Sequence, residues 1–178
     1  MPNRSGAVLG DLSISLVVAA VGSVLVSLTI ETASDGDAGE LWTLQRAAFV
    51  DEARELSNPF IPPLNETLVE LRSQFSQVAF LKVVDGSRIV AAGRLRVRDD
   101  AGWIERIAVA PDQQGRGIGS ALLTALEAEA TDAVVHFELH TAALRSLNLA
   151  FYQRHGYVEL ERIQDPSGVA VVHFTKRR

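Results

Sequence analysis

Three glycines pose the first chemical question. Gly115, Gly117 and Gly119 alternate with Arg116 and Ile118, directly after Pro111-Asp-Gln-Gln114. Glycines this close together let a backbone turn sharply and bring bare N–H groups up to a ligand. Ile118, Leu122, Leu123 and Leu126 follow at helical spacing, so a helix begins inside the loop. A helix start carries unpaired N–H groups and the positive end of the dipole, and both suit a phosphate. Arg116 adds a cation. The stretch therefore reads as an anion cradle fitted to a pyrophosphate. A Walker loop is excluded, because no lysine follows the glycines. The dinucleotide fingerprint Gly-x-Gly-x-x-Gly is nearly met by Gly115, Gly117 and Ser120, with Glu138 about 20 residues on as a ribose-binding acid. Against it, serine stands where the third glycine belongs, and Pro111 to Gln114 separate the loop from the preceding strand.

A second stretch runs from Arg145 to Tyr157. Asn148 and Tyr152 are four apart and share one helix face. Leu144, Leu147 and Phe151 form a separate apolar stripe. A phenol and an amide off that stripe want a polar partner. His136, Glu138 and His140 share a strand face by their period of two, and their types suit a general base or a zinc site. Glu105 lies on the strand that enters the loop. Phe49, Glu52 and Glu55, with the loop Asn58 to Pro63, offer carboxylates to an ammonium group. His155 and His173 read as structural.

The elements that must position these residues follow from pattern. Ile104 to Ala110 is apolar and β-branched, as a buried strand should be, and Pro111 ends it. Val26 to Ala33 alternates and reads as a first strand. Asp37 is a candidate cap for a helix whose apolar face is Leu41, Leu44, Ala48 and Phe49. Asn58 to Pro63 reads as a stiff loop and Glu66 to Phe75 as a second helix. Val78 to Val84 and Ile89 to Val97 form a hairpin about Asp85-Gly-Ser87, with Arg94, Arg96 and Arg98 alternating outward. After the glycine loop a helix runs to about Ala130. Val134 to Thr141 is a strand, and Ser146 to His155 is a helix with Gly156 at its stop. Val158 to Ile163 and Val169 to Thr175 close the chain. A meander of strands before the loop does not fit a doubly wound sheet.

Gln114-x-x-Gly117-x-Gly119 resembles the coenzyme A signature of the GCN5-related N-acetyltransferases. The run from Arg106 to Leu123 is similar to that family on both sides of the loop, and Tyr152-x-x-x-Gly156-Tyr157 resembles its late helix. Asn148 departs from the commonest pattern, which places asparagine where this chain has Arg145; the Asn148 spacing occurs in a subset of the family. The resemblance implies an α/β (α+β) fold, a mixed and mostly antiparallel sheet flanked by helices, over residues 26–178. It implies transfer of an acetyl group from acetyl-CoA to a primary amine, on a small molecule or a protein, by direct attack and without a metal. Ile107, Ala108, Val109, Gln114, Gly115, Arg116, Gly117, Ile118, Gly119, Ser120, Asn148 and Tyr152 are then the coenzyme contacts. The Val109 N–H would meet the carbonyl oxygen and Tyr152 would protonate the leaving thiolate. Glu138 or Glu105 would be the base, with Phe49, Glu52 and Glu55 facing the acceptor. Two rival readings stay open: a non-catalytic coenzyme A sensor, and a nucleotide-dependent oxidoreductase using the same loop.

Composition narrows the setting. The chain has 178 residues, enough for one domain with a sizeable core. Its formal net charge of −5 argues against nucleic acid and is compatible with an amine substrate. No cysteine is present, so acyl transfer here cannot pass through a cysteinyl enzyme. Leu12 to Ile30 carries no charge and is about long enough to span a bilayer. Because Val26 to Ala33 reads as the first strand, residues 1–25 are expected to be an added strand or helix rather than a membrane segment. A cytoplasmic location and a homodimer follow from the resemblance.

Overall fold

The protein is described by a computed structural model over residues 13–17, 27–166 and 168–178. Eight strands make one sheet: β1 (Ser13–Val17), β2 (Ser27–Thr32), β3 (Ala79–Asp85), β4 (Arg88–Arg98), β5 (Ala101–Val109), β6 (His136–Ala142), β7 (Val158–Gln164) and β8 (Ala170–Arg177). Their order is β1-β2-β3-β4-β5-β6-β8-β7, and every pairing is antiparallel except β5 with β6. The helices are α1 (Ala38–Glu55), α2 (Pro62–Asn65), α3 (Leu68–Gln74), α4 (Ile118–Ala128) and α5 (Ser146–Arg154). This is the mixed, mostly antiparallel sheet with flanking helices that the sequence led us to expect. One parallel pair leaves no scaffold for a doubly wound dinucleotide fold.

Neighbouring residues on a strand face opposite ways, and the sheet uses both faces. Phe80 packs with Leu41, Leu44 and Leu71 of α1 and α3. Its neighbour Leu81 packs with Ile118, Leu122 and Leu126 of α4. The helices thus lie on opposite faces, and β3 and β4 read as nearly continuous apolar runs because both sides are covered. A third cluster joins Ala53 and Ile61 to Ala142 and Val171, beneath the end of α1.

Several local expectations are corrected. The Asn58 to Pro63 loop is partly helical: Pro62 starts α2, where its missing N–H costs nothing. Thr67 caps α3 through a reciprocal box with Glu70. Asp37 precedes α1 without capping it. Its carboxylate accepts from Ser34 N–H at 2.8 Å and from Lys82 Nζ at 2.9 Å. Arg94, Arg96 and Arg98 do share a face, but its cover fades along β4: Arg94 is only 4 % exposed, Arg96 is half-buried and Arg98 is exposed as expected. Leu144 and Leu147 of the apolar stripe are both exposed. At the N-terminal end, Ser13–Val17 pairs with β2. Most of the uncharged stretch and of the expected added element lies outside the described residues. No helix among the described residues is long and apolar enough to cross a membrane.

Candidate functional site

The site begins where two strands part. β5 and β6 keep parallel register only from Ala101↔His136 to Trp103↔Glu138. Beyond that point β5 runs on to Val109 and β6 to Ala142 without pairing. The backbone of β5 is therefore free on that side. Ala110 N–H donates to Val90 O at 2.8 Å, toward β4. Strand alternation then turns the Val109 N–H the other way, into the gap. The Val109 carbonyl also faces the gap, where Gln114 Nε2 donates to it at 3.2 Å.

Below the gap lies the glycine loop. A short 3₁₀ turn, Pro111–Gln113, carries the chain from β5 into it. Gly115 (φ +74°) and Gly117 (φ +80°) occupy the left-handed region that L side chains avoid. Gly117 precedes α4 with no side-chain cap, and the first intrahelical bond is Ala121 N–H to Gly117 O. The N–H groups of Ile118, Gly119 and Ser120 therefore point outward unpaired. Gly119 backs onto Val109 and Phe151. Arg116 turns away: its Nη1 donates to Gln113 Oε1 and it does not line the cavity. Ala108 is likewise absent from the lining, because its side chain is buried under α1.

Two cavities of about 460 Å³ each meet at this split. Phe49, Glu52, Ile107, Asn148 and Tyr152 line both, so the cavities form one cleft through the molecule. One half holds the glycine loop and the face of α5. The sequence reading missed Arg145, Leu147, Phe151 and Arg154 in this half. Leu147 explains the exposed stripe, since it faces the cleft instead of the core.

The other half lies between α1, α2 and the β4–β5 hairpin, and it is rich in arginine. Arg94 makes two bonds to Glu66, at 2.8 and 2.6 Å, and a third to Gln45. Arg96 Nε donates to Glu105 at 3.1 Å, and Arg98 lies 3.6 Å from the same carboxylate. Arg106 also lines this half. These cations were not legible as site residues, because strand alternation alone does not say what covers a face.

The titratable candidates separate clearly. Tyr152 is packed among Phe151, Tyr157 and Phe174, with ring centroids 5.1, 5.8 and 6.0 Å away. Burial pushes its phenol well above the ordinary value, and the charge of Glu52 adds to this. Among the described residues its hydroxyl makes no hydrogen bond. Glu52 sits at the junction of the halves, and burial raises its carboxyl despite Arg145 and Arg106 nearby. Glu105 is occupied by Arg96 and Arg98. Glu138 is bonded to His136 at 3.0 Å and lies 3.4 Å from His173; it lines neither half. Glu55 is paired with Arg145 at 2.7 Å and also lines neither. Asn148 reaches across to Thr141 Oγ1 at 3.4 Å, a weak bond. His140 meets the rings of Trp103 and His173, and His155 bonds Phe151 O. Among the described residues no three metal-type ligands converge.

Known proteins share this arrangement. An uncharacterized N-acetyltransferase of Bacillus subtilis, YjcF, is 33 % identical over 95 residues, which are 53 % of this chain and 64 % of that protein. The match thus spans less than two thirds of the relative's length. The PaiA N-acetyltransferase of Thermoplasma acidophilum, solved with coenzyme A, superposes with a TM-score of 0.66. That match has 18 % identity and covers 85 % of this chain and 99 % of the other. The ribosomal-protein-S18-alanine N-acetyltransferase of Escherichia coli gives 0.69 at 19 % identity, over 84 % and 93 % of the two chains. At these identities the two structures speak to the fold alone. A model of the acetyltransferase (GNAT) family matches residues 38–157, from the first turn of α1 to Tyr157 beyond α5, and so takes in the split sheet and the glycine loop. The chain belongs to the GNAT acetyltransferase family.

Proposed function

We propose that the protein transfers an acetyl group from acetyl-CoA to the primary amine of an acceptor. The observation that carries this reading is the cleft itself. A phosphate-type cradle opens one end, a split strand pair crosses the middle, and a polar chamber closes the other. The coenzyme A bound in the T. acidophilum relative and the family membership support it.

The diphosphate meets the outward N–H groups of Ile118, Gly119 and Ser120, at the positive end of α4. The pantetheine arm lies along Ile107 to Val109, in place of the missing β6 partner. The acceptor amine attacks the thioester carbon and forms a C–N bond. Charge gathers on the carbonyl oxygen, opposite the Val109 N–H. The C–S bond then breaks and the thiolate leaves. The amine must lose protons in this sequence, and we assign their removal to Glu52 in place of Glu138 or Glu105. Glu52 lines both halves and makes no ion pair among the described residues, whereas Glu138 lies outside the cleft and Glu105 is held by two arginines. Tyr152 is the donor to sulfur. Its raised pKa keeps it protonated throughout. A thiol titrates near 8.5, so full proton transfer from the phenol is uphill. Tyr152 therefore stabilises the thiolate as a hydrogen-bond donor, and the proton finally reaches sulfur by way of solvent.

Two assays test the reading. Acetyl-CoA should raise the melting temperature and NAD should not; the opposite result favours the oxidoreductase. Thiol release on adding an amine panel separates an enzyme from a sensor that binds without turnover. Gly117→Ala should weaken coenzyme affinity about tenfold. A left-handed alanine costs about 1–2 kcal/mol, and a Cβ at Gly117 has nothing within 4 Å to strike, so the loss is conformational. Unchanged affinity by calorimetry would remove the loop from the binding site. The family reading carries with it a cytoplasmic location and a homodimer, the second of which sedimentation can check.

A further inference from the structure

Arg94, Arg96 and Arg98 of the acceptor half are paired with carboxylates, and among the described residues Arg106 is not. It sits on a β-bulge. β4 and β5 pair Ala92 with Ala108 and Arg94 with Glu105, so Arg106 and Ile107 together oppose Gly93. Arg106 has φ +56°, in the left-handed region that a long L side chain rarely adopts. Bulges re-aim a side chain, and strain of this kind persists where the surrounding structure enforces it. A Cβ at Gly93 would lie 2.7 Å from Leu126 of α4, which leaves β4 no room to shift and relax the bulge.

The re-aimed guanidinium lines the acceptor cavity. Its Nε is buried and has no hydrogen-bond partner. Among the described residues it makes no ion pair. Of the nearby acids, Glu52 acts on Arg106 through space without an ion pair among the described residues, and the others are already committed. Both oxygens of Glu66 accept from Arg94, and one also accepts from Gln45. Glu105 serves Arg96 and Arg98. Asp165, farther along the wall, accepts from Val169 N–H. Burial lowers the Arg106 pKa, with Arg94 adding to the effect, yet a guanidinium does not give up its proton in a protein. A buried positive charge with an unpartnered Nε and no ion pair among the described residues is the recognition half of a charge-assisted bond.

We infer that Arg106 anchors a carboxylate on the acceptor, so that the substrate class is small amines that also carry a carboxylate. This inference rests on the acetyl-transfer reading and narrows it. Glu52 and Arg106 then act as two poles of one chamber. The amine end of the acceptor points to Glu52 at the junction, beside Tyr152. The carboxylate end points to Arg106. Leu56, Ile61, Val169 and Val171 provide an apolar wall for the body between them. A chamber of about 460 Å³ suits a small molecule. Four arginines on its wall disfavour a polyamine, although the net charge of the whole chain pointed toward cations.

The experiment compares an amino acid with its decarboxylated amine and with the matching aminophosphonate. Wild-type protein, Arg106→Gln and Arg106→Lys are each assayed for kcat and KM. Acceptor binding by thermal shift without coenzyme, and acetyl-CoA affinity by calorimetry, are measured in parallel. The wild type should prefer the amino acid at least tenfold over the decarboxylated amine. Arg106→Gln should raise KM for the amino acid at least tenfold and erase that preference, with acetyl-CoA affinity within twofold of wild type. Arg106→Lys should restore part of the preference. Equal use of both amines by the wild type overturns the inference, as does an equal loss for both in Arg106→Gln. A preference for the phosphonate overturns the carboxylate assignment. Should acetyl-CoA fail to bind, the transfer reading falls. The thermal-shift arm still decides the anchor, because a carboxylate ligand insensitive to Arg106→Gln refutes it.

Discussion

Replacing Tyr152 by phenylalanine is expected to lower kcat about 100-fold, the loss that follows from deleting one donor to a developing anion. The substitution is nearly isosteric. The ring keeps its contacts with Phe151, Tyr157 and Phe174. The hydroxyl makes no hydrogen bond among the described residues, so its removal orphans no partner. Stability should therefore hold, and acetyl-CoA affinity should stay within twofold of wild type. The effect belongs in kcat because the thiolate exists only after the C–S bond has begun to break. Burial supports this assignment. It keeps the phenol protonated far above neutral pH, so the donor is present at every working pH. Steady-state kinetics with calorimetry of acetyl-CoA decides the matter. Equal turnover in both proteins would falsify the donor role.

Glu52→Gln should give the second large effect, a loss of about 100-fold in kcat/KM at neutral pH. Glutamine keeps the shape and cannot take a proton. In the wild type the raised carboxyl moves the acid limb of the pH–rate profile above the ordinary carboxylate range. Activity rises as Glu52 loses its proton. In the variant that limb disappears. The rate instead climbs toward pH 10, as the free-amine fraction of the acceptor grows, an alkylamine titrating near 10.4. Stability should move in the opposite sense to activity. A carboxyl whose pKa is raised by folding holds its proton more tightly in the native state. Its ionised form therefore destabilises the fold above that pKa. Glu52→Gln should melt higher than wild type at neutral pH, and the gap should close as pH falls below the unfolded carboxylate value. A pH–rate profile identical to wild type returns the base to another group.

Legibility differed sharply from residue to residue. The glycine loop could be read directly, because φ > 0 and unpaired N–H groups are local properties of a few consecutive residues. Gln114 to Ser120 announce both. The strand before the loop and the helix after it were equally plain, since the apolar period of each lies in its own dozen residues. Tyr152 stood out for a similar reason, being a polar ring set off a helical stripe. Leu147 looks like core by spacing, but it faces the cleft, and a binding groove demands the same apolar surface as a core. Period cannot tell the two apart.

The base candidates fared differently. Glu138 and Glu105 drew attention because they lie on strands beside the motif. Glu52 lies on α1, more than fifty residues before the loop. What favours it is burial at the junction without an ion pair among the described residues, and both depend on what α1 packs against. Arg94 and Arg96, which the structure covers while Arg98 stays exposed, followed the same logic. Their alternation was correct, but an alternating face is solvated or buried according to the helices laid over it. Nothing local separated Arg106 from its neighbours, because the bulge arises from register between two strands.

By itself, then, the order of residues determined the loop, the alternation of each strand, the helix stripes and, through them, the family and the mostly antiparallel sheet. All of these rest on interactions a few residues apart along the chain. The tertiary structure alone decided where β5 and β6 separate, which helix face becomes a wall of the cleft, and which of many charged side chains stay unpaired inside it. Those outcomes rest on burial and long-range pairing. A charge keeps or loses its partner according to segments that meet only when the chain has folded.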